Sequence, residues 1–154
     1  MRPMLMQASE SDRDEVLALL RAAFVPYMAR LGRVVEPDIF DWVPEALGEG
    51  QVHAAAGDGG IEGILVEEPL GKALYVKVVA VRPDRQGKGL GSRMLQEIEA
   101  RARDRGFEAL TLDTAEVMED LLRLYGRHGF REVRRGLPDH GRDEIPRVFL
   151  RKAL

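Results

Sequence analysis

A chain of 154 residues, 45% of them apolar and 32% charged, has the size and make-up of one globular domain with a proper core, spanning residues 1–154. Its 23 basic and 26 acidic residues nearly cancel, to −3, and neither sign gathers into a long block; no nucleic-acid or membrane partner is expected, and a small-molecule or peptide partner is. The lack of cysteine excludes disulfides, thiolate metal sites and an acyl-cysteine mechanism.

Met1 to Glu10 lacks the apolar core of a signal peptide, and the strongest apolar run, Ala73 to Val81, is short and broken by Lys77, so a cytoplasmic protein is expected. From Ser9 to Phe24 the residues Val16, Leu17, Leu19, Leu20 and Ala23 follow a helical repeat. Phe24 to Leu47 holds a second amphipathic stretch around Ile39, Phe40, Trp42 and Val43, but Pro26, Pro37 and Pro44 restrict it to short or bent helices. Gln51 to Ala56 and Ile61 to Glu67 flank Gly57-Asp58-Gly59-Gly60, a tight-turn sequence, and predict an antiparallel hairpin. Valine-rich Leu74 to Val81 reads as the central strand. A helix with Leu90, Met94, Leu95, Ile98 and Ala102 on one face follows, capped by Gly106. Ala109 to Leu112 is then a short strand, parallel to the central one because a crossover helix joins them. Met118, Leu121, Leu122 and Tyr125 share the face of a further helix that Gly129 ends, and Phe130 to Arg134 and Arg147 to Arg151 read as final strands.

The chemistry concentrates in Val81 to Ser92, where an apolar strand runs into a glycine-rich turn that opens a helix. Gly87, Gly89 and Gly91 let the backbone approach an anion, and the helix start supplies unpaired N–H groups with a partial positive charge, so the turn is suited to a pyrophosphate. A Walker reading fails, since Gly89 follows Lys88 where Ser or Thr is required. Gly87-x-Gly89-x-x-Ser92 with Asp113 further on is nearer a dinucleotide fingerprint, but its third position is Ser and the chain offers only one clear strand-helix-strand unit.

Gln86-Gly87-Lys88-Gly89-Leu90-Gly91 has the Gln/Arg-x-x-Gly-x-Gly/Ala form of the acyl-CoA loop in the GCN5-related N-acetyltransferases, and Leu124-Tyr125-Gly126-Arg127-His128-Gly129-Phe130 has the Leu-Tyr-x-x-x-Gly-Phe form that closes that family's cofactor site. The chain resembles this superfamily over roughly residues 50 to 152, and the order of its elements is that of the family fold. The resemblance implies an α/β (α+β) fold, with a mixed, mostly antiparallel central sheet flanked by helices. It implies an enzyme that moves the acetyl group of acetyl-CoA to a primary amine of a small molecule, peptide or protein, by direct attack in a ternary complex. Acetyl-CoA would be held at Val79, Ala80, Val81, Gln86, Gly87, Lys88, Gly89, Leu90, Gly91 and Ser92: the glycine loop on the pyrophosphate, the backbone of Val79 and Val81 on the pantetheine arm, and the Val79 N–H on the thioester carbonyl. Tyr125 would be the general acid that protonates the leaving thiolate. One departure stands out: many members carry Asn seven residues before that tyrosine, where this chain has Met118.

The general base is open among Glu67, Glu68, Tyr75, Asp113 and His140. His128, in a helix's last turn, is explained as a cation favoured by the dipole, and His53 has no partner by spacing. The three histidines make no ligand cluster, so no metal is expected. Phe24, Tyr27, Phe40 and Trp42 could line an acceptor pocket, with core packing or a homodimer contact as their plainer uses. In this fold Arg147 to Leu150 and the loop with Pro138, Asp139 and His140 would border the acceptor. Two other functions compete: a catalytically inactive CoA-binding regulatory module, and a nicotinamide oxidoreductase resting on Gly87, Gly89 and Asp113.

Overall fold

A computed structural model describes residues 4–154, so the first three residues of the segment searched for a leader lie outside it. Its sheet has the strand order β1-β2-β3-β4-β5-β7-β6. These strands are β1 (Leu5–Gln7), β2 (Val52–Gly57), β3 (Gly60–Leu70), β4 (Ala73–Val81), β5 (Ala109–Ala115), β6 (Arg131–Gly136) and β7 (Arg147–Ala153). Every pairing is antiparallel except β4 with β5, which the crossover helix makes parallel as expected. Helices α1 (Arg13–Arg30) and α2 (Val43–Gly48) cover one face; α3 (Leu90–Asp104) and α4 (Glu119–Arg127) lie against the other.

The sequence reading missed β1 and the length of α1. β1 is three residues long, too short for a periodic signal, and it is tied down from outside itself: the Glu97 carboxylate accepts the N–H groups of Met4 (2.7 Å) and Leu5 (2.6 Å). α1 continues through Pro26 to Arg30, although a proline inside a helix deletes one backbone hydrogen bond. Tertiary contact offsets that loss. Tyr27 and Leu31 pack on the buried cluster Ala115, Met118 and Ile145, and Arg30 pairs with Asp120 at 2.6 Å.

β4 carries the feature that shapes the site. Val66 pairs with Val78 and Glu67 with Val76, so Lys77 is an extra residue, a β-bulge. A single added residue reverses the alternation of side chains. Leu74 and Val76 lie in the α3-side core; beyond the bulge Val79 and Val81 take that face, while Val78 and Ala80 join the α1-side core. α3 crosses β3 so closely that a Cβ on Gly63 would stand 2.9 Å from the end of the Met94 side chain, which would have to shift to admit it.

Candidate active site

The parallel ladder between β4 and β5 covers three residue pairs, Ala73–Ala109, Leu74–Leu110 and Tyr75–Thr111, and then the strands diverge. The Arg82 N–H donates to the Glu62 carbonyl across β3–β4 (2.8 Å). Since bonding alternates along an antiparallel pair, Ala80 and Val78 also bond to β3, and the backbone groups of Val79 and Val81 are turned into the gap. Ala80, between them, faces away. On the opposite wall the Glu116 N–H donates to the Pro146 carbonyl (3.0 Å), so by the same alternation Asp113 and Ala115 turn their N–H groups to the gap.

At one end of the gap the turn from Gln86 to Ser92 is held by its own side chains. The Gln86 amide donates to the Val81 carbonyl (3.0 Å), Arg85 donates to Glu62 (3.0 Å), and Arg82 to Asp84 (2.6 Å). Gly87 (φ 79°) and Gly89 (φ 80°) are in the left-handed region, and a Cβ on either would meet nothing within 4 Å. Gly89 caps α3, so the unpaired N–H groups of the first turn face an open cradle of the kind that receives a phosphate. Leu90 is buried and anchors the helix start, while Lys88 and Arg93 are exposed cations beside it. The residues at this end fit a diphosphate ligand.

Tyr125 comes to the gap from α4, packed against Phe130 with ring centroids 6.0 Å apart. Its hydroxyl has no hydrogen-bond partner among the described residues. Burial, with Tyr27 and Asp113 nearby, pushes its pKa up to about 12, so it carries its proton at neutral pH. His128 Nε2 lies 3.0 Å from Ser92 Oγ, joining the end of α4 to the start of α3. Burial, and then Lys152, lower the His128 pKa, so the cationic role expected of it at the helix end is replaced by a hydrogen-bonding one.

The other face of the gap gathers Tyr75, Asp113, Arg147 and Phe149, the residues alternating with core positions Leu74, Leu112, Val148 and Leu150. The Tyr75 hydroxyl donates to Asp113 Oδ1 (2.5 Å), and Arg147 Nε stands 3.5 Å from Asp113 Oδ2. Asp143 in turn grips Arg147 at 3.0 Å. Lys77, on the bulge, places its ammonium 3.9 Å from the centre of the Trp42 ring.

The structure redistributes the candidate bases. Burial and the Asp113 charge hold the Tyr75 pKa far above its ordinary value, so Tyr75 is a donor and not a base. Glu67 points to the α3 side, at the end of the sheet remote from the glycine turn, where Arg105 Nη1 reaches both its oxygens at 2.8 and 2.9 Å. Burial alone would raise its pKa, but His53 and Arg105 hold it below the usual carboxylate range. It is the buried anchor of Arg105 in a cleft of about 640 Å³. His53, without a partner by spacing, has its Nε2 3.6 Å from Glu67 Oε1. His140 accepts the Arg142 N–H within its own loop (2.9 Å), and Glu68 lies beside Tyr75 by strand register. Of the candidates, Asp113 sits in the gap wall with Tyr75 as its hydrogen-bond donor. Phe24, Phe40 and Trp42 pack on the α1-side core, as their plainer reading had it. Met118 is fully buried beneath Tyr27 and Leu31. No group of three or more His, Cys, Asp or Glu able to hold a metal occurs among the described residues, and no described helix is long and apolar enough to cross a membrane.

The acetyltransferase (GNAT) family model matches residues 16–130, and the chain belongs to that family. It is an acetyltransferase with the family's mixed α/β fold. Its architecture is similar to that of the PaiA N-acetyltransferase of Thermoplasma acidophilum, solved in complex with coenzyme A (15% identity, all of both chains covered, TM-score 0.80). It is similar as well to the ribosomal-protein-S18-alanine N-acetyltransferase of Escherichia coli (16% identity, 97% of this chain and 92% of that one, TM-score 0.76). A GNAT family acetyltransferase of Elizabethkingia anophelis with acetyl-CoA bound aligns over 74% of this chain and 82% of its own (21% identity, TM-score 0.65). A search of curated protein sequences gives no match.

Proposed function

We propose that the protein transfers the acetyl group of acetyl-CoA to a primary amine of a small molecule or peptide, by direct attack while both substrates are bound, and that residues 1–154 form one such catalytic domain. The observation that carries this reading is the gap between β4 and β5, with an open glycine turn at one end, backbone N–H groups of Val79, Val81 and Asp113 turned into it, and the protonated Tyr125 close to Asp113. The N–H groups from Gly87 to Ser92 hold the pyrophosphate of the donor, supported by Lys88 and the α3 dipole. The outward backbone groups of Val79 and Val81 align the pantetheine arm as an added strand would, and the Val79 N–H polarises the thioester carbonyl. Bound acetyl-CoA supplies the activated acyl group.

The acceptor enters from the face of Tyr75 and Asp113. Asp113, fixed by Tyr75 on one oxygen and facing Arg147 on the other, draws the ammonium form in and receives its proton, directly or through water. As the new C–N bond forms and the C–S bond breaks, the Tyr125 hydroxyl gives its proton to the sulfur, and the proton the nitrogen sheds on becoming an amide returns through water to the Tyr125 phenolate. A phenol near pKa 12 holds that proton until a thiolate is present to take it. Cytoplasmic action, alone or as a homodimer, fits this chemistry. The test is a pair of measurements: thermal stabilisation by acetyl-CoA but not by NAD, and release of free CoA when a panel of amines is added. Stabilisation without turnover on any amine would support the inactive CoA-binding module instead, and stabilisation by NAD alone the oxidoreductase.

A further inference from the structure

The chain has three tyrosines, and all of them converge on the last three residues of β5: Tyr75 from β4 on Asp113, Tyr125 from α4 beside it, and Tyr27 from α1 on Thr114 and Ala115. The first two belong to the chemistry above. Tyr27 has no part in it, and its geometry is specific. Its hydroxyl accepts the backbone N–H of Ala115 at 3.1 Å and stands 3.2 Å from Thr114 Oγ1.

The Ala115 N–H is one of two donors that β5 turns into the gap beyond the end of the ladder; the other is that of Asp113. β4 cannot reach either, having diverged after Tyr75. A backbone donor left unpaired in an enclosed gap is costly, and it seeks the nearest acceptor, whether a β4 carbonyl, which would draw the walls together, or the carbonyl of a bound acyl group, which would compete with the donor on Val79. Tyr27 removes that donor from competition. Its ring is held in turn by Ala115, Met118 and Ile145 and by Phe24 at 5.8 Å, so the hydroxyl is delivered from a fixed direction.

We propose that Tyr27 is a positioning residue that sets the width of the gap between β4 and β5 toward the C-terminal ends of the two strands, by giving the Ala115 N–H a side-chain partner in place of a strand. The kinetic consequence rests on the acetyltransferase reading; the structural one does not. The glycine turn follows the same, C-terminal end of β4 but holds the diphosphate of acetyl-CoA through its own N–H groups, which Tyr27 does not touch, so gap width bears on the alignment of the reacting groups more than on donor affinity.

The experiment combines amide hydrogen exchange and steady-state kinetics. In the free wild-type protein the Ala115 amide exchanges at least about tenfold more slowly than the Asp113 amide, which shares its edge without a partner among the described residues. In Tyr27→Phe that protection is lost while Leu112 and Thr114, bonded to β7, keep theirs. The same variant shows kcat lowered about tenfold with the KM for acetyl-CoA within about twofold of wild type. Thr114→Val, which leaves the bond from Ala115 to Tyr27 intact, retains both the protection and the kcat. Equal exchange at Ala115 and Asp113 in the wild type overturns the proposal, and so does a Tyr27→Phe protein that keeps its kcat, or a Thr114→Val protein that loses it to the same extent. Should no amine be turned over at all, the functional reading fails, and the exchange comparison still decides whether Tyr27 caps the edge.

Discussion

Replacing Tyr125 by Phe separates the two uses a tyrosine has in a protein. The ring is engaged, lying edge-on to Phe130 and against the core beneath α4, and Phe preserves all of that. The hydroxyl makes no hydrogen bond among the described residues, so its removal forfeits none of the roughly 1 kcal/mol that a typical bond contributes, and Tm should stay within about a degree or two. Catalysis should respond quite differently. Proton donation by a positioned side chain contributes about 10²- to 10⁴-fold, so a loss of kcat in that range is expected wherever departure of the thiolate limits the rate. The affinity for acetyl-CoA, fixed by backbone groups and the glycine turn, should change little. The pH profile adds a second constraint. With a pKa near 12 the acid form persists throughout the range in which the protein is folded, so any alkaline limb below about pH 10 must come from another group and must survive in the variant. The assay is CoA release with one competent amine across pH, paired with acetyl-CoA titration and thermal melts on both proteins. A Phe variant turning over at the wild-type rate at every pH, or an alkaline limb near pH 8 that disappears with the hydroxyl, would refute the assignment.

Gly89→Val forces a β-branched residue to φ near +80° at the cap of α3, costing about 1–2 kcal/mol, and should abolish the acetyl-CoA thermal shift; an undiminished shift in the folded variant would contradict the phosphate cradle. Met118→Asn introduces an amide into a fully buried apolar cluster, so it should lower stability by about 2–5 kcal/mol without tightening acetyl-CoA, a result that chemical denaturation and cofactor titration together would check. Glu67→Gln should leave kcat unchanged and cost about 1–3 kcal/mol, because Arg105 loses its buried counter-charge while remaining partly hydrated. As the Glu67 pKa is lower folded than unfolded, its contribution is complete above the unfolded value of about 4.3 and disappears as pH falls through the folded one, so the variant's Tm should depend less on pH between about 5 and 3.

The parts of the site that were legible in the sequence are those whose conformation is decided locally. Gly87 and Gly89 demand left-handed backbone wherever they stand, and the turn from strand to helix around them follows from neighbouring residues alone. Gly129, with φ at 90°, marks the end of α4 in the same way, and so places Tyr125 on a helix from the sequence alone. Glu67 could not be sorted from Glu68 because its partner Arg105 is 38 positions away and on another element. Tyr27 was read only as an aromatic residue, since the backbone group its hydroxyl meets lies 88 positions on. Pro26 argued for an early end to α1, and only packing on Met118 and Ile145, brought by distant segments, overrode it. The bulge at Lys77 did leave a trace: a lysine interrupting a run of valines, where the strand changes which side it buries.

That the seven-stranded sheet is continuous through only three residue pairs at its middle has a mechanical meaning. The four strands on one side and the three on the other are two plates riveted along a single short edge, with the Tyr75–Asp113 hydrogen bond as a side-chain tie just beyond it. A molecule lying along the seam and bonding to both walls would act as a keystone, carrying load from one plate to the other. Occupancy should therefore raise the cooperativity of unfolding as well as its midpoint, with the β5, β7 and β6 plate slowing its amide exchange far from any atom the ligand touches.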